Sequence, residues 1–142
     1  MPGLYLNGQE TGVGILDLRI TLQAHGDAPP EVVWERYADL RRWPEWSRQI
    51  TGVESSGATL KAGVTGDVIG PLGFHVPFRV VEVGIRRWRW EIRPLGLRLR
   101  LDHRVLARID GAATELRMGG PAPVVLAYAP VAKLALRRLV TW

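Results

Sequence analysis

The sequence of 142 residues offers four side chains as candidate acids or bases, namely His103, Glu82, Tyr37 and Tyr128. His103 alternates in phase with Leu101 and is predicted to face inward, where a neutral imidazole could donate or accept a proton near neutral pH. The alternative is a core histidine bonded to one polar neighbour. Glu82 has an inward phase, where burial would raise the pKa of its carboxyl group. Apolar neighbours on both sides favour instead a bulge that turns Glu82 outward.

Six apolar side chains share the predicted inner face of the strands and are candidate walls of a substrate pocket. They are Phe78, Trp88, Trp90, Leu99, Leu101 and Met118. Trp88 and Trp90 could stack on a flat ring system, and a buried indole N–H needs a hydrogen-bond partner. The alternative is that both are ordinary core residues. Trp43 and Trp46 are assigned to packing that defines the fold.

Several classes of chemistry are set aside by composition and spacing. The chain has no cysteine, which removes disulfides, thiolate metal sites and cysteine nucleophiles. His25, His75 and His103 lack the spacing of metal ligands, so no metal site is predicted. No serine-nucleophile elbow, phosphate loop or dinucleotide fingerprint is present, so no cofactor is predicted either.

Residue periodicity predicts the elements that must position these side chains. Residues 16–24 alternate as a half-buried strand, and Pro30 with Glu31 opens a helix. Residues 43–46 end this region or form a second short helix. Further strands are predicted at residues 49–54, 64–69, 74–83, 87–93, 97–109 and 113–118. Residues 124–140 are predicted to form a long helix bent at Pro130.

The two clearest strands, residues 87–93 and 97–109, are predicted to form a hairpin through a four-residue loop. This register would set inner and outer pairs opposite each other: Trp88 with Leu101, Trp90 with Leu99, Ile92 with Leu97, Glu91 with Arg98, and Arg87 with Asp102. The inner pairs are all apolar, two outer pairs are oppositely charged, and one outer pair, Arg89 with Arg100, is like-charged, so the register is plausible on both faces.

Together the elements predict an α+β fold in which a curved antiparallel sheet of six to seven strands wraps on a long C-terminal helix. Two short helices follow the first strand. The predicted buried face of the long helix consists of Val124, Ala127, Tyr128, Val131, Ala135 and Leu139. Residues 15–142 are read as one domain after a loose N-terminal arm at residues 1–14.

Local motifs resemble the SRPBCC superfamily, also called START-like or helix-grip proteins. The resemblance rests on Ala28-Pro29-Pro30-Glu31-Val32-Val33-Trp34, on Asp39-Leu40 with Arg42-Trp43-Pro44-Glu45-Trp46, and on Gly120-Pro121 before the long helix. It implies a container for a small, largely apolar molecule, aromatic or polycyclic. The container would serve a polyketide cyclase/dehydrase-like enzyme of secondary metabolism or, alternatively, a non-catalytic carrier or sensor of a lipid-like ligand.

The charge pattern suggests where partners could bind. The net charge is +5, carried almost entirely by arginine. Six arginines form a predicted outer basic stripe: Arg87, Arg89, Arg93, Arg98, Arg100 and Arg104. The simplest interpretation is that these arginines are solvated on the outer face of the sheet. The alternative is that they bind an acidic carrier protein. A further alternative places anionic membrane against the last helix near Lys133 and Arg137. No nucleic-acid partner, signal peptide or membrane-spanning segment is predicted, and the expected location is the cytoplasm.

Overall fold

The computed structural model describes residues 16–142, so the predicted arm lies outside the described residues. The elements in chain order are β1 (Asp17–Gly26), α1 (Pro30–Ala38), α2 (Trp43–Trp46), β2 (Gly52–Ser55), β3 (Thr65–Ile69), β4 (His75–Gly84), β5 (Arg87–Ile92), β6 (Leu99–Arg108), β7 (Gly111–Pro121) and α3 (Ala122–Leu139). The α+β helix-grip prediction is confirmed. None of the helices in the described part of the chain is long and apolar enough to cross a membrane.

The seven strands form one antiparallel sheet in the order β1-β7-β6-β5-β4-β3-β2. The first strand therefore pairs with the last, from Asp17 opposite Pro121 to Gly26 opposite Ala112. A sheet with one apolar face must bury that face against another element. The curved sheet does so by closing over α3 and the two short helices.

The two short helices are joined by their tryptophans. Pro30 stands in the first turn of α1, where its missing N–H costs no helical hydrogen bond. The indole of Trp43 donates to the Tyr37 carbonyl at 2.9 Å, and that of Trp46 donates to the Arg36 carbonyl at 3.0 Å. These bonds satisfy carbonyls that the end of α1 would otherwise leave open. The prediction that these tryptophans define the fold agrees with this role.

The last helix contains Pro130 as predicted, but its buried face is displaced from the predicted one. The buried residues are Val125, Ala132, Ala135, Leu136 and Leu139. The predicted positions Ala127 and Val131 are exposed and half-buried. The reason for the error is that the uncharged first half of α3 offers two apolar stripes, and periodicity alone does not choose between them.

The predicted hairpin register is wrong by two residues. Trp88 lies opposite His103, Trp90 opposite Leu101 and Ile92 opposite Leu99. The connection is longer than predicted because a tight turn at Pro94–Gly96 leaves Leu97 and Arg98 outside the strands. A shift of two residues preserves the face of every side chain, so the inward assignments hold while every partner changes.

Candidate functional site

A small cavity lies between the inner face of the sheet, α2 and α3. Its volume is about 30 Å³, which is room for roughly one water molecule. The lining residues are Trp43, Trp46, Ser47, Ile50, Trp88, Trp90, Leu101, His103, Leu116, Tyr128, Ala132, Ala135 and Leu136. The sequence predicts a hollow large enough for a small molecule, whereas this cavity, as the described residues 16–142 enclose it, is far smaller. Four indole rings among the lining residues fill most of the space.

A chain of buried hydrogen bonds runs from the cavity wall into the sheet. The indole N–H of Trp90 donates to His103 Nε2 at 3.0 Å, and His103 Nδ1 lies 3.0 Å from the Tyr37 hydroxyl. That hydroxyl lies 2.6 Å from Thr114 Oγ1, which donates to the Arg104 carbonyl at 3.1 Å. His103, Tyr37 and Thr114 are all buried, so these bonds replace the water that each group gives up on folding.

The direction of this chain fixes the state of the histidine. An indole N–H can only donate, so His103 Nε2 accepts and the ring proton sits on Nδ1. His103 then donates to Tyr37, and Tyr37 donates to Thr114, because the Thr114 proton is used by the Arg104 carbonyl. Burial lowers the pKa of His103 to about 3. The imidazole is therefore neutral at pH 7, with both nitrogens engaged.

Aromatic rings enclose this histidine. Trp88 stacks on the imidazole with ring centroids 4.6 Å apart and planes 10° from parallel. Tyr37 meets the same ring edge-on at 5.0 Å. Trp43 packs against Trp88 at 5.7 Å and against Trp90 at 5.1 Å. Such pairs add to the free energy gained by burial alone, so the rings make the site rigid.

One polar atom in this cluster is left without a partner. Trp88 is buried, and its Nε1 forms no hydrogen bond within the described structure. A buried N–H of this kind costs about 1–3 kcal/mol unless a water or ligand satisfies it. Tyr128, on α3, lines the same cavity, and burial raises the pKa of its hydroxyl to about 12. Burial also raises the pKa of the Tyr37 hydroxyl.

The predicted site residues fall into three groups. The residues that line the cavity are His103, Tyr128, Trp88, Trp90 and Leu101. The residues that are buried on the inner side without lining it are Tyr37, Phe78, Leu99 and Met118. Glu82 lies on the outer face, because a register irregularity between Val80 and Glu82 turns its side chain away, and it stands 3.6 Å from Arg89.

Sequence reasoning missed the part of the lining that comes from helices. Ser47, Ala132 and Ala135 face the cavity, and Trp43 and Trp46 line it besides packing the fold. The tryptophan motif signals an ordered structure but not which rings border a hollow. Ala132 and Ala135 are small, so α3 lies close to the cavity at these two positions. The predicted buried face of the helix included Ala135 but not Ala132.

The outer face of the sheet is basic but interleaved with acids. Arg89 pairs with Asp102 at 2.5 Å, and Arg98 pairs with Glu91 at 2.9 Å. Arg104 lies 3.6 Å from Glu115. The Arg89–Asp102 pair joins two exposed side chains, and exposed pairs of this kind contribute little to stability. The stripe predicted from alternation is thus a partly neutralised face.

At the exposed edge of the sheet, Glu54, Asp67 and His75 come from three neighbouring strands. Their potential ligand atoms lie within 4.8 Å of one another. Strand pairing brings them together, since Glu54 is opposite Asp67, and spacing along the chain gives no sign of it. Exposed acidic groups often lie this close without a metal ion, and His75 is 3.4 Å from Asp67.

The fold and the enclosed aromatic cluster define a helix-grip protein of the SRPBCC superfamily. A family model described as polyketide cyclase / dehydrase and lipid transport matches residues 17–141. The chain belongs to this family, whose description names functions on hydrophobic molecules. A comparison with curated proteins finds no match.

Solved structures with the same architecture differ widely in sequence. The crystal structure of Ara h 8.0201 aligns with a TM-score of 0.71 at 11% identity, covering 87% of this chain and 95% of that one. Norcoclaurine synthase from Thalictrum flavum aligns with a TM-score of 0.66 at 14% identity, covering 95% of this chain and 91% of that one. At such identities the likeness establishes the fold alone.

Proposed function

We propose that the protein binds a small, largely apolar molecule, aromatic or polycyclic, between the sheet and α3. The observation that carries the proposal is the unpartnered N–H of Trp88, which is buried among aromatic side chains beside the hydrogen-bonded His103. Apolar sites typically fix their ligands with a small number of such polar groups. Family membership supports the same class of ligand, and the carrier or sensor role needs only this binding step.

Binding requires the cavity to open, because ligand pockets usually measure about 300–1,000 Å³. We assign the opening to α3. Its C-terminal end is held firmly, since the Arg36 guanidinium donates to the Leu139 and Thr141 carbonyls, each at 2.7 Å. Ahead of Pro130 the helix buries only Val125, and Pro130 cannot donate a helical hydrogen bond. The first half of α3 can therefore move outward while the second half stays in place.

The test compares two probes of nearly equal size, 1-acetylnaphthalene and 1-ethylnaphthalene, by titration calorimetry. Only the first carries an oxygen that can accept from Trp88. Trp88→Phe keeps a ring and removes the N–H, so it should weaken binding of the acetyl compound roughly tenfold and leave the ethyl compound unchanged. Trp142→Phe, an exposed tryptophan, is the matched control and should change neither affinity.

Two outcomes would contradict the proposal. If the wild-type protein binds neither probe up to the solubility limit, the ligand-binding function is rejected. If Trp88→Phe weakens both probes equally, the N–H is not the anchor. Ala132→Leu adds a side chain to the cavity wall and should abolish binding of both probes.

A second candidate function is acid–base catalysis of the cyclase/dehydrase type, favoured because His103 and Tyr128 line the same cavity. In the closed site burial holds the His103 pKa at about 3, so His103 Nε2 would take a proton from the carbon between two carbonyls only after the site opens to water and the Trp90 N–H is displaced. Tyr128 would donate to the enolate oxygen, and Tyr37 would position His103. Deuterium exchange of an aryl β-keto thioester tests this. His103→Ala should abolish exchange and Glu82→Gln should not, whereas unchanged exchange removes His103 from catalysis.

The proposed ligand binding also suggests a protein partner that would deliver the ligand. An acidic carrier protein that presents the ligand would meet the outer arginines, of which Arg87 and Arg93 form no ion pair within the described part of the chain. A cytoplasmic location and a place in secondary metabolism stay predictions. Ionic-strength-dependent binding to a purified acyl carrier protein would support this partner, and its absence at low salt would count against it.

A further inference from the structure

Two loops of the sheet carry the same exposed turn. Gly70-Pro71-Leu72-Gly73 closes with the Gly73 N–H donating to the Gly70 carbonyl at 3.1 Å. Arg93-Pro94-Leu95-Gly96 closes in the same way at 3.2 Å. In each, leucine takes the third position with a left-handed backbone, at φ 63° in Leu72 and φ 55° in Leu95. We call these two segments the Pro-Leu-Gly turns.

Neither leucine is explained by folding. The third position of such a turn favours glycine or asparagine, because a left-handed backbone crowds any larger side chain. Leu72 is 94% exposed and Leu95 is 95% exposed, so neither recovers the strain by burial. Residues with a strained backbone conformation that packing does not compensate are often found at functional sites. Phe74, which directly follows the first turn, is also largely exposed.

Both turns lie at the same end of the sheet. They connect β3 to β4 and β5 to β6, and the start of α3 follows β7 at that end. Residues 119–132 carry no charge, and Leu126 is exposed among them. This end of the sheet therefore presents two exposed leucine side chains, Leu72 and Leu95, beside an uncharged helical turn. We call these two side chains the leucine tips. Scattered exposed apolar residues are ordinary, but these two leucines combine exposure with a left-handed backbone. The third left-handed residue other than glycine in the described chain is Arg86, at the opposite end.

The charged residues near Leu72 and Leu95 indicate what kind of surface these side chains would bind. Arg93 and Arg98 bracket the second turn, and residues 93–98 include no acid. Asp17, at the same end, is 4.0 Å from Arg100. At the opposite end Ile109 lies between Arg108 and Asp110, and Ile85 is followed by Arg86 and Arg87. Leu95 is flanked by arginine, and Leu72 lies in an uncharged turn, residues 70–74, at the same end. Together they fit a surface that is anionic outside and apolar a few ångströms deeper, which describes a bilayer.

We propose that the two Pro-Leu-Gly turns dock the protein on an anionic lipid membrane, with Leu72 and Leu95 inserted at the headgroup boundary. This interaction goes beyond the proposed ligand binding and does not depend on it. Docking would bring the uncharged start of α3, the segment assigned to open, close to the lipid. The turns enter the interface without any spanning segment.

The experiment is flotation of the full chain with two kinds of vesicle at about 0.1 M salt. One contains phosphatidylcholine and phosphatidylserine at about 70:30, and the other contains phosphatidylcholine alone. The double variant Leu72→Asn/Leu95→Asn removes both tips and suits the left-handed backbone, so it should fold. Its affinity for the anionic vesicles should fall at least about tenfold, since each leucine contributes a buried side chain.

The matched control is Ile85→Asn/Ile109→Asn, which makes the same chemical change at the opposite end. These isoleucines are as exposed as the leucines but lie at the end of the sheet away from the start of α3, so their replacement should leave vesicle binding unchanged. Arg93→Gln should weaken binding to anionic vesicles by roughly fivefold and leave the weak binding to neutral vesicles as it was.

Several results would overturn the proposal. They are no wild-type flotation with anionic vesicles even at low salt, equal loss in the leucine and isoleucine variants, or loss in Arg93→Gln with none in the leucine variant. A wild-type dimer in light scattering that the leucine variant abolishes would assign the tips to a second copy instead. Binding of the naphthalene probes without vesicles separates this failure from a failure of the ligand-binding proposal.

Discussion

Lowering the pH from 7 to 5 should weaken the folded state through a single buried group, His103. In the folded protein burial lowers its pKa to about 3, whereas the unfolded side chain has a pKa of about 6.5. Below pH 6.5 the His103 imidazole therefore binds a proton in the unfolded chain but stays neutral in the folded protein. The stability that His103 contributes is fully present above pH 6.5 and is lost as the pH falls towards 3.

The magnitude follows from the difference in bound protons. Each pH unit below 6.5 should cost about 1.4 kcal/mol, so pH 5 should cost about 2 kcal/mol relative to pH 7. That is a large part of the 5–15 kcal/mol typical of a domain. The physical source is the closed site: protonated His103 would set a donor against the Trp90 N–H and a charge between aromatic rings.

Urea unfolding at pH 7.0, 6.0, 5.5 and 5.0, followed by tryptophan fluorescence, measures this slope. Side chains titrating elsewhere are subtracted by comparison with His103→Gln, which loses the imidazole and should show a slope smaller by about 1.4 kcal/mol per pH unit. His25→Gln removes an exposed histidine as the control and should keep the wild-type slope. Equal slopes for wild type and His103→Gln would refute the argument, because they would mean that the histidine is protonated while still folded.

Three further changes test single contacts by equilibrium unfolding. Tyr37→Phe leaves the His103 Nδ1–H without an acceptor and should destabilise the fold by about 2 kcal/mol, and a loss under about 0.5 kcal/mol would contradict the hydrogen-bond chain. Gly26→Ala should destabilise the fold by several kcal/mol, because an added Cβ would clash with the Val140 carbonyl oxygen. Wild-type stability of this variant would show that Gly26 and Val140 do not lie so close together. Leu95→Asn should stabilise by about 0.5–1 kcal/mol by fitting the left-handed backbone, and destabilisation would deny the strain.

Side-chain alternation predicted which face of each strand is buried but not which residues meet across the hairpin. The predicted partner of Trp88 was Leu101, and its actual partner is His103. The predicted register puts three apolar pairs inside, and the actual register puts two apolar pairs and the Trp88–His103 pair inside, so hydrophobicity alone did not separate them. The choice lies in the turn at Pro94–Gly96, where leucine occupies a position that sequence rules give to glycine. A strained turn is therefore where a prediction from local preference fails.

The site was predictable only as a set of inward-facing residues. His103, Trp88 and Trp90 were identified correctly as inner-face residues, because strand period is a strong signal. The cavity volume and the hydrogen-bond chain depend on how α1 and α2 dock on the sheet. Tyr37 and Thr114 are far apart in sequence, and no local pattern pairs their hydroxyls. Docking angles and packed volumes are tertiary properties that periodicity does not encode.

The pairing of β1 with β7 has a consequence for synthesis in the cell. Of the seven described strands the ribosome releases β1 first, and the neighbour of β1 in this sheet is β7, the last of the seven to be made. At about 5–20 residues per second, the nascent β1 waits on the order of 5–20 seconds for that neighbour. Its leucines and isoleucine stay uncovered throughout, guarded by the alternating Asp17 and Arg19. Synthesis of β7, rather than local strand formation, sets the moment at which this sheet can close.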